Sequence, residues 1–81
     1  MTYIVYMLRC EDGSYYIGTT NDLTRRYQAH CSGKCARYTR SHRPIAIVYQ
    51  EICQDKGEAL RRERVLKQLS HEAKSRLLET E

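Results

Sequence analysis

Residues 3–19 read YIVYMLRCEDGSYYIGT, and the way the chain turns inside this stretch decides the fold. Tyr3 to Arg9 is rich in β-branched and aromatic residues, with apolar side chains at both parities, the pattern of a central strand covered on both faces. Tyr15 to Thr19 reads as a second strand, and the turn signal EDGS between the two makes the stretch a β-hairpin. Side chains alternate faces along a strand, so the length of the loop fixes which residues meet. A two-residue Asp12-Gly13 turn pairs Glu11 with Ser14 and sets Tyr6 and Tyr16 on opposite faces. A three-residue loop, Glu11-Asp12-Gly13 with Gly13 left-handed, pairs Cys10 with Ser14 and puts both tyrosines on one face. The three-residue loop is expected here.

Beyond the hairpin, Asn21 or Asp22 is a fitting N-cap for a helix running to about Cys31. The segment SGKCARYTRSHRP reads as a long loop with a short helical turn, Ile45 to Ile52 as a third strand, and Lys56 to Leu69 as a second long helix. Ser70 to Leu78 forms a last short helix, with a capping-box pattern displaced by one residue. At 81 residues the chain is a single domain, 1–81, because so short a chain buries only about 60% of its unfolded surface and cannot support two cores.

The longest apolar run near the N-terminus, Tyr3 to Leu8, is far shorter than the ~20 residues that span a bilayer and lacks the basic flank of a signal peptide. A cytoplasmic protein is expected. The four cysteines, Cys10, Cys31, Cys35 and Cys53, fit reduced thiols better than a disulfide framework. His30, Cys31 and Cys35 lie close together but lack the paired C-x2-C spacing of structural zinc.

The net charge of +4 hides an asymmetry. From Leu23 to Gln50 there are six basic residues, Arg25, Arg26, Lys34, Arg37, Arg40 and Arg43, and no acidic one. Interleaved with tyrosines and His42, such a segment suits a phosphate backbone, because Lys and Arg displace condensed counterions and aromatic rings stack. Lys34, Arg37, Tyr38, Arg40 and Arg43 are therefore candidate nucleic-acid contacts. A solvated basic surface is the plainer reading of the same charge.

Helical geometry singles out further residues. At about 100° per residue, Leu23, Arg26, Tyr27 and His30 share one face of the first helix, while Arg25 points away. On the second long helix, Glu63 falls among Ala59, Leu60 and Leu66, and Glu58 does not. Unpartnered charge on an inward face is costly, so a buried Arg26–Glu63 salt bridge is the purely structural reading. If these residues gather over the hairpin face that carries Tyr6 and Tyr16, the set suits phosphodiester hydrolysis. A carboxylate can hold a divalent cation, a guanidinium can grip the scissile phosphate, and a histidine can carry the proton. A phenol is a poor base at neutral pH unless nearby positive charge lowers its pKa.

VYM (Val5, Tyr6, Met7) and YIG (Tyr16, Ile17, Gly18), with Arg26, His30 and Glu63 following, resemble the GIY-YIG nuclease superfamily over the whole chain. The order MLRCEDGSYYIG…DLTRRYQAH…GKCARYTRSHRP…EALRRERVLKQL is similar to that of its small standalone bacterial members. The resemblance implies an α+β fold, a small three-stranded antiparallel sheet flanked by helices. It implies a metal-dependent endonuclease acting on DNA, repair-associated or structure-selective, using Mg²⁺ or Mn²⁺. By motif position the resemblance implies that Tyr6 helps activate the attacking water or acts as base directly, Tyr16 orients water or phosphate, Arg26 stabilises the pentavalent phosphate, His30 assists proton transfer or binds phosphate, and Glu63 ligates the metal.

Three positions depart from the family pattern: Val5 replaces the first glycine, Thr19 stands where some excision-repair relatives carry lysine, and Asn21 is the only asparagine. Many characterised relatives carry a separate DNA-binding domain, so the resemblance also implies a protein partner that supplies targeting. The alternative reading is a nucleic-acid-binding module on the same scaffold without catalysis; a third is a protein-interaction domain with a salt-bridged core.

Overall fold

The loop of the first hairpin holds three residues. Gly13 takes φ +85, the left-handed conformation that glycine adopts without steric penalty. Its N–H bonds the Cys10 carbonyl at 2.9 Å, and the Cys10 N–H bonds the Ser14 carbonyl at 2.9 Å. The register that follows sets Tyr6 opposite Gly18 and Leu8 opposite Tyr16. Tyr6, Leu8, Tyr16 and Gly18 therefore share one face, as the three-residue loop requires.

The computed structural model describes residues 2–79. Its elements are β1 (Tyr3–Cys10), β2 (Tyr15–Thr20), α1 (Leu23–Cys31), α2 (Arg37–Ser41), β3 (Pro44–Cys53), α3 (Lys56–Lys67) and α4 (His71–Glu79). The three strands form one antiparallel sheet in the order β2-β1-β3, the α+β architecture expected from the sequence. β1 is central, and Val5, Tyr6, Met7 and Leu8 are all buried, which is why its apolar residues run through both parities.

On the face away from the tyrosine pair, Val5, Met7, Ile17 and Cys53 pack with Ala59 and Leu66 of α3, while Leu69, Leu77 and Leu78 extend the cluster. His71 of α4 stacks on Tyr15 at 4.9 Å, and its Nε2–H donates to the Gly13 carbonyl at 2.8 Å, pinning the last helix to the hairpin turn. α3 ends two residues earlier than the apolar pattern suggests. Gln68 and Leu69 bond back to the carbonyls of Val65 and Leu66, a tightened last turn, before Ser70 caps α4 by accepting the Ala73 N–H at 3.1 Å.

Asp22, not Asn21, caps α1; its side chain accepts the Arg25 N–H at 3.2 Å. The other end closes in a Schellman motif: Gly33 has φ +75, its N–H meets the His30 carbonyl at 3.1 Å, and the Lys34 N–H meets the Ala29 carbonyl at 2.9 Å. The chain thereby folds back, and Lys34 and Cys35 lie beside α1. The loop that follows contains the short helix α2.

Met7 is fully buried in the centre of the sheet, whereas Ile52 on the outer strand is 73% exposed. Met7→Ala should lower unfolding free energy by about 2–5 kcal/mol in a urea titration, and Ile52→Ala should change it by less than about 0.5 kcal/mol.

Candidate active site

The hairpin register brings the two tyrosines close, with ring centroids 6.4 Å apart. Gly18 lies opposite Tyr6, and a Cβ at that position would meet Tyr6 Oη at 2.6 Å, Tyr6 Cζ at 2.8 Å and Tyr16 Cε2 at 3.2 Å. Only a residue without a side chain leaves room for the Tyr6 phenol. The YIG glycine is a matter of space, since its backbone does not enter the left-handed region.

His30 comes down from α1 onto this pair and is fully buried, the one α1 residue that is. Its Nε2 lies 2.8 Å from Tyr6 Oη and its Nδ1 lies 2.8 Å from Thr39 Oγ1 of α2. The Thr39 hydroxyl donates to the Ala36 carbonyl at 3.2 Å. A hydroxyl has one proton to give, so Thr39 must accept from His30, and Nδ1 carries the hydrogen. Nε2 then presents its lone pair to the Tyr6 O–H. The result is an ordered chain: Tyr6 O–H to His30, His30 N–H to Thr39, Thr39 O–H to a backbone carbonyl. Both ring nitrogens of His30 are thus engaged in hydrogen bonds, and among the described residues His30, Cys31 and Cys35 do not converge as a ligand set. All four cysteines are free.

Burial governs the electrostatics. It pushes the Tyr6 phenol well above its ordinary value, with Tyr16 and Cys35 adding to the rise, Arg26 opposing it and Glu63 adding to it. Burial also raises the Tyr16 phenol, reinforced by Cys35 and countered by Lys67. The imidazole of His30 is held below its ordinary 6.5 by burial and by the Arg26 charge. The Arg26 guanidinium does lower the Tyr6 phenol, as positive charge should, but desolvation outweighs it and the net shift is upward. Both phenols remain protonated at neutral pH.

The structure thus gathers Tyr6, Tyr16 and His30 in direct contact and brings the charges of Arg26 and Glu63 to bear on the two phenols. It does not form the Arg26–Glu63 salt bridge. Arg26 is exposed rather than turned inward, and its Nη1 lies 3.4 Å from Cys35 Sγ. Glu63 is half-buried, 18% exposed, and its Oε2 pairs with Lys67 Nζ at 2.6 Å, four residues on along α3. His30 lies inward as its helical position suggests, but depth was not legible: Leu23 and Tyr27 on the same face are half-buried, and Arg26 stands exposed at the rim.

Among the described residues no three His, Cys, Asp or Glu side chains converge on one point. A lone carboxylate fits a hydrated Mg²⁺ or Mn²⁺, which keeps several waters and takes one or two protein carboxylates with substrate phosphate. Glu63 meets that requirement.

The candidate nucleic-acid contacts divide. Tyr38 stacks on His42 at 4.0 Å and faces Tyr16 at 6.0 Å, continuing the aromatic cluster outward. Arg37 and Arg40 are exposed on α2. Arg43 turns instead to the hairpin, with Nε 3.7 Å from Glu11 Oε1. Lys34 joins Arg25 and Arg26 around a separate groove of about 660 Å³. Thr39 and Arg25 were not singled out from the sequence, since a threonine in an aperiodic loop and an arginine on an outward helix face carry no signal of their own.

The departures from the family pattern fall away from this cluster. Val5 and Thr19 pair with each other across the strands, on the face opposite Tyr6 and Gly18. Replacement of a glycine by Val5 fills the core and leaves the phenols untouched.

The sequence matches the GIY-YIG catalytic domain over residues 2–76. The UPF0213 protein of Pseudomonas aeruginosa strain UCBPP-PA14 is 53% identical over 74 residues, covering 91% of this chain and 71% of that protein. The Staphylococcus haemolyticus UPF0213 protein is 41% identical over 75 residues, covering 93% of this chain and 92% of its own. The solution NMR structure of the UPF0213 protein BH0048 from Bacillus halodurans superposes with a TM-score of 0.64 at 42% identity, over 100% of this chain and 86% of that one. With the tyrosine pair, the YIG glycine and the buried histidine assembled on one sheet face, the match extends from sequence to geometry, and the chain belongs to the GIY-YIG catalytic-domain family, a nuclease-type domain, with the small bacterial UPF0213 proteins as its relatives.

Proposed function

We propose that this protein is a divalent-metal-dependent endonuclease that hydrolyses phosphodiester bonds in DNA, with Tyr6, Tyr16, Arg26, His30 and Glu63 as its catalytic residues. The observation that supports this most is the ordered hydrogen bond from a buried phenol to a neutral imidazole, Tyr6 Oη to His30 Nε2 at 2.8 Å. A phenol that burial keeps protonated cannot act as a base unless something takes its proton. The His30 lone pair supplies that acceptor. As water attacks phosphorus, Tyr6 takes the water's proton while its own passes to His30 Nε2, and the new imidazolium keeps its Nδ1–H on Thr39. Thr39 acts as a positioning residue that holds the ring in the required tautomer.

Arg26, exposed at the rim, presents a planar fork to the phosphate oxygens and stabilises the charge that develops there. Tyr16 lies edge-on to His30 at 4.8 Å and walls the relay from solvent. Glu63 would hold the metal, which when bound supplies Lewis-acid stabilisation of phosphate oxygen. Lys34, Arg37, Tyr38 and Arg40 flank the cluster as strand contacts.

Incubation with nicked, branched and single-stranded DNA in Mg²⁺ or Mn²⁺ tests the reading. Glu63→Gln should abolish cleavage and Tyr6→Phe should slow it roughly 10²–10⁴-fold, with both variants folded by circular dichroism. Cleavage that survives Glu63→Gln would overturn the site; salt-sensitive binding with no cleavage at all would favour the non-catalytic module. Gly18→Ala should cost on the order of 10²-fold in kcat by displacing the Tyr6 phenol, which a crystal structure of the variant would show directly.

Activity requires neutral His30, whose pKa lies below 6.5 in the folded protein. Cleavage should therefore hold through neutrality and fall as the pH drops below about 6.5. Thr39→Val should lower kcat and move this acid limb, and Thr39→Ser should restore both in a pH–rate series.

A further inference from the structure

A groove of about 660 Å³ opens beside the tyrosine cluster, lined by Thr20, Asp22, Arg25, Arg26, Lys34 and Cys35 among others. Three of its walls carry positive charge. Asp22 is the acidic residue among the lining residues, and its carboxylate is committed to the Arg25 N–H as the cap of α1. Among the described residues, no ion pair engages Arg25, Arg26 or Lys34. Among the same residues Arg37 and Arg40 on α2 have no ion pair either, so what sets Arg25, Arg26 and Lys34 apart is that they line one concavity.

The groove is held in place by local structure. The Schellman turn at Gly33 folds the chain back and fixes the Lys34 backbone against Ala29, one turn of helix beyond Arg25 and Arg26. The Arg26 guanidinium is tied to Cys35 on the returning segment. Three cations and one carboxylate leave the groove with a net positive charge, and an anion lying among the cations lowers their mutual repulsion. Arg26 belongs both to this groove and to the tyrosine cluster. One guanidinium thus borders both the groove and the phenols, so an anion between Arg25 and Lys34 and another over Tyr6 would share Arg26 between them.

Successive phosphates of a single strand have this relation. We infer that the Arg25–Lys34 groove is a second phosphate subsite, which holds the backbone phosphate adjacent to the scissile one and sets the position of the strand over Tyr6 and His30. The inference rests on the nuclease reading for the identity of the strand, yet it concerns binding, and binding can be measured with hydrolysis switched off.

The test is a salt titration of binding to fluorescein-labelled DNA by fluorescence anisotropy, in EDTA so that no cleavage occurs. Each lost contact to phosphate lowers the slope of log K against log salt by about 0.7 on a single strand and about 0.9 on a duplex. The double variant Arg25→Gln/Lys34→Gln should thus bind more weakly with a slope smaller by roughly 1.4–1.8. The charge-retaining pair Arg25→Lys/Lys34→Arg should keep the wild-type slope, as should Arg76→Gln on the distant helix α4. An unchanged slope in the neutralised double variant overturns the subsite. Inorganic phosphate at millimolar concentration should compete poorly with the labelled strand; full displacement by it would mark a site for free anions and overturn the strand assignment. Wild-type binding with the predicted slope change but no cleavage in Mg²⁺ or Mn²⁺ would retain the subsite and remove the nuclease reading. Metal-dependent cleavage with no slope change would do the reverse.

Discussion

The hairpin register is the constraint on which the rest depends. One residue more or fewer between Cys10 and Ser14 would reverse every β2 side chain relative to β1, separating Tyr6 from Tyr16 and removing Gly18 from beneath the phenol. The left-handed conformation of Gly13 fixes that count, and His71 of α4 holds the turn from outside. The last helix of the chain thus supports the geometry of the first two strands. Val5, Met7 and Ile17 point to the α3 face only in the same register that turns the phenols to the other, so the core and the site are specified together.

Burying a phenol, an imidazole and a hydroxyl at the centre of so small a domain is tolerable because each finds a partner. Among the described residues no buried side-chain nitrogen or oxygen lacks one. A half-satisfied network here would cost on the order of 1–3 kcal/mol per orphaned group, a large share of the stability available to 81 residues. The same satisfaction gives the chain its direction: Ala36 offers a carbonyl that can only accept, and from that end each proton in Thr39, His30 and Tyr6 is assigned in turn.

Much of this was legible in the sequence where periodicity speaks. The three strands, a cap for α1 at Asn21 or Asp22 and the inward turn of His30 follow from alternation or helical spacing, whereas on α3 Glu58 and Glu63 are both half-buried and Leu60 is exposed, so its inward stripe is less distinct than the spacing suggests. Depth was harder to read than direction. Arg26 shares a helical face with His30, but along that face Leu23 and Tyr27 are half-buried, Arg26 is exposed and His30 alone is buried, and no spacing rule reports that gradation. Thr39 and the Arg25 groove were hidden for another reason: Gly33 marks where α1 stops, but not where the returning segment packs. The lowering of the phenols by Arg26 was legible, but the net direction was not, because desolvation depends on a depth of burial that residue spacing does not report.

The hydrogen-bonded chain ends on the backbone of Ala36, immediately before Arg37 and in the same short segment as Arg40. The loop that offers its arginines to solvent is therefore also the loop that assigns the proton on His30. An insertion at residues 36–39 that moved the Ala36 carbonyl or the Thr39 hydroxyl would also release the His30 ring from its tautomer. Under the proposed mechanism, what the outer face of this loop contacts and the readiness of His30 to take a proton would respond together to such a change.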